Sequence, residues 1–315
     1  MKKSVHNLTR FLAVFLIFYG ILAVPSQVTA EPDAIIYEDS ISHDEEESRL
    51  SLPSFVMVDK KMNEIYVIDG RSRIMIYTSD LFPLYTMNSE SGIETPRGLA
   101  LDEGGNLYVA QSSSNGNARH RISVYKPCLR KDRDIYIKDF EGAETFIPYR
   151  MAVDNKGNIL VASGHYPGLI VLNNEGSLID ILSPVEQGKK VKITNVSIDE
   201  AGRIYIVSED AGRIYIYDKN RNIIASFGEK GGSSGKLSRP RAIAIDSFNG
   251  NMFVVDYMRH TVTIFSSSGS YIHEFGGLGW DEGWFQHPND ISVDSRGRLF
   301  VADFFNHRVQ IFKTR

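Results

Sequence analysis

The sequence has 315 residues, of which 42% are hydrophobic and 23% are charged, and its formal net charge is −4. This hydrophobic content allows a large core and excludes a chain that is disordered throughout. The negative net charge argues against a protein whose main task is to neutralise nucleic-acid phosphates.

The first thirty residues are predicted to be a signal peptide. Lys2, Lys3 and Arg10 give a basic start, an apolar run covers residues 11–24, and Val28–Ala30 fits a small-residue cleavage site. As a helix this run would span about 21 Å, short of the roughly 30 Å bilayer core, so cleavage is favoured over the alternative, a retained anchor. The mature chain would then be exported, periplasmic or extracellular, with no membrane attachment and a net charge of −7.

Residues 31–52 are predicted to form an N-terminal segment outside the repeats. Its acidic run, Asp44–Glu47, is interpreted as a solvated loop. On either side lie stretches able to form a strand, residues 34–37 and 50–52. Either stretch could pair with a sheet that lacks a strand elsewhere in the chain.

Residues 53–315 contain one pattern that recurs six times. Each copy has a proline, an alternating apolar stretch that ends in Asp, a turn with Gly or Asn, and a second β-rich stretch; the fourth copy has Ile193 in place of the proline. Successive aspartates lie 43 to 52 residues apart, at Asp59, Asp102, Asp154, Asp199, Asp246 and Asp294. Four short strands in a unit of this length are typical of a propeller blade, so the sequence predicts an all-β, six-bladed β-propeller of four-stranded blades.

The fifth copy illustrates the predicted strands, at residues 242–246, 252–255, 261–265 and 271–275. The sixth copy ends after its third strand, at Phe312. We therefore expect the N-terminal segment to donate the missing strand, because ring closure removes an exposed sheet edge. The recurring aspartates are interpreted as turn-forming residues rather than as metal ligands. His260 and His307, which follow the second strands, are interpreted as surface turn residues.

The sixth copy resembles an NHL repeat, through Phe285–Asp294, Gly297–Asp303 and Asn306–Phe312. Residues 235–246 carry the same resemblance, which extends over about residues 50–312. The third and fourth copies depart most from the pattern. The resemblance implies an exported NHL-repeat propeller.

In a propeller the first strand of each blade is innermost, so residues just after each repeat proline lie near one mouth of the central channel. Arg97, Arg150 and Arg241 occupy such positions and predict an electropositive mouth that suits a carboxylate or a phosphate, with Asn289 and Asp290 beside them. The alternative is that these arginines pair locally with loop carboxylates.

Related six-bladed enzymes suggest a second interpretation. Gluconolactonase-like and paraoxonase-like propellers hold Ca²⁺ or a similar ion at this mouth, and the resemblance implies Asn195, Asn289 and Asp290 as part of such a site. Peptide-amidating lyase propellers are also similar, but they use a His-bound metal and disulfides, and Cys128 is the only cysteine here. NHL propellers of cytosolic tripartite-motif proteins bind RNA through a basic face, which the acidic charge and the signal peptide oppose.

Trp280 and Trp284 lie in a glycine-rich connection that enters the sixth copy. These side chains either plug the junction between blades or, if they are exposed, form a partner-contact patch. The predicted function is an exported protein- or ligand-binding or scaffold module without evident catalysis or cofactor. Its partner would be an unknown protein or a small anionic ligand, and not nucleic acid. A divalent-metal-dependent, lactonase-like hydrolase or lyase with its site at the channel mouth is the alternative.

Overall fold

The structure is a computed structural model that describes residues 35–113 and 119–314. Over these residues the chain forms six four-stranded antiparallel sheets and one two-stranded hairpin. The predicted signal peptide, residues 1–30, lies outside the described residues. Within the described part of the chain, no helix is both long and apolar enough to cross a membrane.

Blades 1 to 6 follow one another in chain order. Blade 1 consists of β2 (Phe55–Asp59), β3 (Glu64–Asp69), β4 (Arg73–Tyr77) and β5 (Pro83–Met87). Blade 2 consists of β6 (Pro96–Leu101), β7 (Leu107–Gln111), β8 (Arg121–Tyr125) and β9 (Lys131–Ile135). Blade 3 consists of β10 (Arg150–Val153), β11 (Ile159–Ala162), β12 (Leu169–Leu172) and β13 (Leu178–Leu182).

A hairpin of β14 (Val185–Glu186) and β15 (Lys189–Lys190) separates blades 3 and 4. Blade 4 consists of β16 (Asn195–Ile198), β17 (Ile204–Ser208), β18 (Arg213–Tyr217) and β19 (Ile223–Phe227). Blade 5 consists of β20 (Pro240–Ile245), β21 (Met252–Asp256), β22 (Thr261–Phe265) and β23 (Tyr271–Gly276). Blade 6 consists of β24 (Pro288–Val293), β25 (Arg298–Asp303), β26 (Arg308–Thr314) and the N-terminal β1 (Ile35–Ile41). Short 3-10 turns cover Ser89–Ser91 and Phe304–Asn306.

Blade 6 is completed by the N-terminus, as predicted. Strand β1 pairs antiparallel with β26, so that Ile36 lies opposite Lys313 and Ile41 opposite Val309. Of the two candidate stretches, the first supplies the strand. The second contributes Leu50, which is buried with residues of blades 1 and 6. Closure therefore joins the two ends of the described chain by backbone pairing and by apolar packing.

The first strand of a blade begins earlier than the predicted bounds. In blade 5 the strand starts at Pro240 rather than Ala242, and its register shifts between these two residues. The same shift follows Pro96 and Pro288. Proline is tolerated as the first residue of a strand on a sheet edge, because no ladder hydrogen bond is lost there.

The core lies between adjacent blades. Among the described residues the buried apolar side chains form six clusters, one at each junction between two blades. At the closing junction, for example, Phe300 and Val309 of blade 6 pack with Val67 and Tyr77 of blade 1. The three inner strands of a blade are buried on both faces, so their sequences are nearly continuous apolar runs.

The recurring aspartates form turns, as predicted. Oδ1 of Asp294 accepts hydrogen bonds from the backbone N–H groups of Arg296 (2.9 Å) and Arg298 (2.8 Å). Oδ1 of Asp154 does the same for Lys156 and Asn158. These contacts close the turn between the first and second strands of a blade.

The interpretation of the whole acidic run as solvated was wrong for Asp44. Glu45, Glu46 and Glu47 are exposed, but Asp44 is buried and accepts a 2.7 Å hydrogen bond from Arg73. Burial opposes its ionisation, yet hydrogen bonds from Arg73 and from the backbone of Ser48 and Glu46 hold the pKa of Asp44 below its ordinary value. The run therefore ties the N-terminal segment to blade 1.

Candidate ligand-binding end of the propeller

The six first strands surround a cavity of about 840 Å³ along the axis of the propeller. We name the two ends of the propeller by the direction in which these first strands run. The strand-start end carries the residues that begin each first strand and the turns between second and third strands. The opposite end carries the turns after the first strands, where Lys60 donates to Ser247 (2.7 Å) and lies 3.5 Å from Glu200.

Arg150 closes the channel at the strand-start end. Its side chain extends from blade 3 and is almost completely buried, with the residue 2% exposed. Nη2 donates to the carbonyl oxygen of Ser54 at 2.7 Å, and Nη1 donates to the carbonyl oxygen of Arg97. Nη2 also lies 3.9 Å from Oδ2 of Asp290. One guanidinium thus connects blade 3 with blades 1, 2 and 6.

Two aromatic rings complete the surroundings of Arg150. Its guanidinium carbon lies 4.4 Å from the ring centroid of Tyr149 and 4.9 Å from that of Phe55. Cation–π contacts of this kind are strongest where water is excluded. The arrangement makes Arg150 a seal of the channel whose charge faces protein atoms.

Asp290 lies beside Arg150 and is also buried. Its oxygens accept hydrogen bonds from the backbone N–H groups of Val56 (3.3 Å) and Ile291 (3.1 Å), and the Asn195 side chain donates to it as well. Burial raises the pKa of Asp290 to about 6, although Arg150 and these hydrogen bonds act in the opposite direction. A raised pKa in a carboxylate that already has four partners is consistent with a structural group.

Asn195, Asn289 and Asp290 do lie at the same end of the channel. As arranged, however, they do not fit a divalent cation. The Asn289 amide donates to the carbonyl of Ser54 at 2.6 Å, the Asp290 oxygens are engaged by N–H donors, and the Arg150 cation stands 3.9 Å from Asp290. Ca²⁺ requires six to eight oxygen ligands, which three engaged side chains do not supply.

Arg241, the second residue of β20, lies at the rim of the same end. Its Nε lies 3.1 Å from Oε2 of Glu209, an ion pair without hydrogen-bond alignment, and its guanidinium lies 4.6 Å from the ring centroid of Tyr257. Arg239 pairs with the same carboxylate. No residue in the described ranges accepts a hydrogen bond from the Nη atoms of Arg241. The Arg241 side chain is therefore held in place, and its Nη groups can still donate hydrogen bonds to a ligand.

Arg97 is exposed at this rim, and its Nε donates to Oγ of Ser112 at 3.0 Å. Its carbonyl receives the Arg150 guanidinium, so these two predicted residues are in contact through the backbone of Arg97. The three predicted arginines therefore differ in their exposure and in their partners. Arg150 is sealed inside, Arg241 shares a loop carboxylate, and Arg97 faces the outside.

Trp280 and Trp284 lie in the connection between β23 and β24, with exposures of 74% and 49%. The residue that plugs this junction is Phe285, which is fully buried in the cluster between blades 5 and 6. The Trp284 ring lies against Gly277, where a Cβ would come within 2.7 Å of the ring. The glycines of the connection thus allow Trp284 to lie flat on the backbone, with Trp280 free of that packing.

Sequence reasoning missed a row of rings at the rim between blades 5 and 6. The ring centroids of Tyr257 and His287 are 4.6 Å apart, those of His287 and Phe305 are 5.2 Å apart, and those of Phe305 and Phe304 are 4.9 Å apart. A signal for it was available, since Tyr257 and Phe304 each follow the aspartate that ends the second strand of their copy.

The matches to known proteins agree with this architecture. The NHL repeat family matches residues 285–312. A curated relative, Protein brain tumor of Drosophila melanogaster, is 25% identical over 129 residues, which cover 41% of this chain and 12% of that protein. The match therefore spans only a small part of that protein's length.

Three solved structures share the fold. A structural genomics protein of unknown function from Bacteroides thetaiotaomicron has a TM-score of 0.68 at 12% identity, covering 89% of this chain and 76% of that one. An auxiliary nutrient binding protein from Bacteroides ovatus has a TM-score of 0.67 at 13% identity, covering 90% and 77%. The Cps50 (Swd1) β-propeller domain of Myceliophteria thermophila has a TM-score of 0.63 at 9% identity, covering 90% and 100%. Identities this low show the fold alone, which here is a six-bladed β-propeller, and the NHL repeat is matched over residues 285–312.

Proposed function

We propose that this protein is an exported binding or scaffold module and that its contact surface is the strand-start end of the propeller. The observation that carries the proposal is Arg241. Its guanidinium is fixed by Glu209 and Tyr257, and its Nη donors have no acceptor in the described ranges. A fixed planar donor of this kind suits a carboxylate or a phosphate, because little side-chain entropy remains to be lost on binding.

The seal at Arg150 supports the same surface. Because that guanidinium closes the channel, a ligand at this end contacts a closed surface, which we call the floor, and does not enter the channel. Arg97 lies exposed on the rim of that floor, and Arg150 and Asp290 keep the floor rigid. Arg97 and Arg241 are the anion contacts of the proposal, with Asn289 beside them.

Trp280 and Trp284 extend this surface toward a protein partner. Large exposed aromatic side chains are enriched at interfaces, where they bury much area at a low entropic cost. The name of the Bacteroides ovatus protein, auxiliary nutrient binding protein, gives a precedent for a binding role on this fold. That precedent is an analogy of fold, since one fold hosts many functions.

The anion contacts are tested by thermal unfolding of the mature protein with citrate, phosphate and sulfate. The double variant Arg97→Gln/Arg241→Gln should lose any ligand-induced rise in Tm. Arg133→Gln, an exposed arginine on the outer strand β9, should retain it. An equal shift in all three proteins would contradict the assignment of the site.

The partner surface is tested by pull-down from the secreted or periplasmic fraction. Trp280→Ala/Trp284→Ala should lose a specific partner, whereas Phe248→Ala, an exposed aromatic at the opposite end, should keep it. Export itself is tested by mass spectrometry of the expressed protein, whose first residue should be Glu31. A chain that retains residues 1–30 would contradict the cleavage.

A further inference from the structure

The rings between blades 5 and 6 form a continuous surface that ends in two arginines. We call it the ring row and define it as Phe304, Phe305, His287 and Tyr257. Neighbouring ring centroids in the row are 4.6 to 5.2 Å apart. At the Tyr257 end, the guanidinium of Arg241 lies 4.6 Å from the ring and that of Arg239 lies 5.9 Å away.

The ring row is accessible from the strand-start end. Phe305 is 42% exposed, and Tyr257, His287 and Phe304 are half-buried. The backbone holds the row in place, because Phe305 N–H donates to the carbonyl of Gln286 and Tyr257 N–H donates to that of Arg239. Rings fixed in this way present a surface that loses little entropy when a ligand stacks on it.

At the arginine end of the row two guanidinium groups share one side-chain carboxylate, while the nearby Asp256 carboxylate is bonded to backbone N–H groups. Arg239 and Arg241 share the single carboxylate of Glu209, which is itself nearly buried. The Nη atoms of Arg241 have no acceptor among residues 35–113 and 119–314. One carboxylate from a ligand would accept the parallel hydrogen bonds that the Arg241 guanidinium offers.

These features describe a ligand that is apolar on its faces, polar at its edges and acidic. The C–H groups on a pyranose face carry partial positive charge, which suits the negative face of an aromatic ring. The hydroxyl groups at the pyranose edge suit the Tyr257 hydroxyl and the His287 imidazole. We propose that the ring row binds an acidic saccharide, with a pyranose ring on Phe305 and its carboxylate on Arg241. This inference rests on the proposed function and names its ligand class.

Two other classes of ligand fit less well. A purely apolar peptide anchor would leave the Arg241 donors without acceptors, at the cost of their desolvation. A single-stranded nucleic acid also stacks its bases, but it needs several phosphate contacts, and this end of the row offers the free donors of one arginine on an acidic chain. Both classes serve as outcomes of the test.

The experiment is isothermal titration of the mature protein with four probes. These are an oligogalacturonate as the acidic saccharide, maltohexaose as a neutral one, polyglutamate as an anion without sugar rings, and oligouridylate as a nucleic acid. The oligogalacturonate should bind, and the other three should bind at least about tenfold more weakly, because each lacks either the carboxylate or the pyranose face.

Two variants locate the binding. Phe305→Ala should weaken oligogalacturonate binding by up to about tenfold, and Arg241→Gln by about ten- to a hundredfold. Phe248→Ala, at the opposite end, should bind as the unmodified protein does. Near-identical melting curves would exclude unfolding as the cause of a loss.

The possible failures are distinguishable. Equal binding of polyglutamate and oligogalacturonate, both lost in Arg241→Gln, would overturn the saccharide inference and leave the anion site of the proposed function intact. Tightest binding of oligouridylate would overturn the saccharide inference in favour of a nucleic acid. Binding that is unaffected by Phe305→Ala and Arg241→Gln would overturn the ring row as the site. No binding of any probe would overturn the saccharide inference, and an absent response to citrate, phosphate and sulfate as well would count against the anion contacts themselves.

Discussion

Nδ1 of His307 accepts a hydrogen bond from the backbone N–H of Leu52, with an N···N distance of 3.1 Å. The contact joins the last blade to the segment that enters the first. The preceding junction repeats it, since Nδ1 of His260 accepts from the backbone N–H of His287 at 3.0 Å. Both histidines have a positive φ of 58° and precede the third strand of their blade. Both histidines lie in turns, as predicted, and each also accepts a hydrogen bond from the segment that enters the next blade.

Replacement of His307 by Asn should lower the free energy of unfolding by about 1 kcal/mol, because the partly buried backbone N–H of Leu52 loses its acceptor. Asparagine is chosen since it tolerates the left-handed backbone that His307 adopts, which separates the hydrogen bond from backbone strain. Urea unfolding measures the change.

The matched control for this variant is His273→Asn on the exposed outer strand β23. It should leave the free energy of unfolding almost unchanged. A loss as large as that of His307→Asn would show that the junction hydrogen bond contributes nothing specific.

The His260 contact makes stability depend on pH. Its Nδ1 must be unprotonated to accept a hydrogen bond. Burial and then the neighbouring His287 lower the pKa of His260, although Asp256 and Asp303 act to raise it. Because the folded-state pKa lies below the unfolded value of about 6.5, the contribution is complete above that value and is lost as the pH falls through the folded-state pKa.

In urea unfolding, the loss of free energy of unfolding caused by His260→Asn should therefore be smaller at about pH 5 than at about pH 7.5. The effect of His273→Asn should not differ between these two pH values. An equal pH dependence in all three proteins would contradict the role of His260. Burial also lowers the pKa of His287, so part of the dependence should persist in His260→Asn.

Arg150 and Asp290 should be coupled in stability. Arg150→Met leaves the buried Asp290 without its cation and should cost about 3–5 kcal/mol. Asp290→Asn in the same chain should recover part of this loss, because the neutral amide needs no counter-charge. A double-mutant cycle measures the coupling, and additive losses would show that the two side chains act independently.

Gly98 should not tolerate a side chain. A Cβ at this position would overlap the carbonyl oxygen of Tyr149 in the next blade. Gly98→Ala should cost about 1–3 kcal/mol through the backbone shift it forces. Gly232→Ala is the control, since no atom lies within 4 Å of its Cβ position and its φ is ordinary. Equal Tm values for the two variants would contradict the tight junction between blades 2 and 3.

The sequence predicts the blades because strand and turn signals are local. Asp154 and Asp294 form their turns with residues two and four positions away, and such contacts follow from spacing. The role of Arg150 depends on residues 53 to 140 positions away, which only the closed ring brings together. The burial of Asp44 similarly depends on Arg73 in blade 1, which a local charge pattern does not show.

The central claim is that ligands bind at the strand-start end. Hydrogen–deuterium exchange tests it most directly. It compares the free protein with the protein bound to an anion or partner that the thermal-unfolding and pull-down experiments identify. We expect protection in residues 239–241, 257–260, 277–287 and 304–307, at the rim of blades 5 and 6, and for an anion also at Arg97 in blade 2. Protection confined to residues 59–62, 102–105 and 199–202, at the opposite end, would contradict the account.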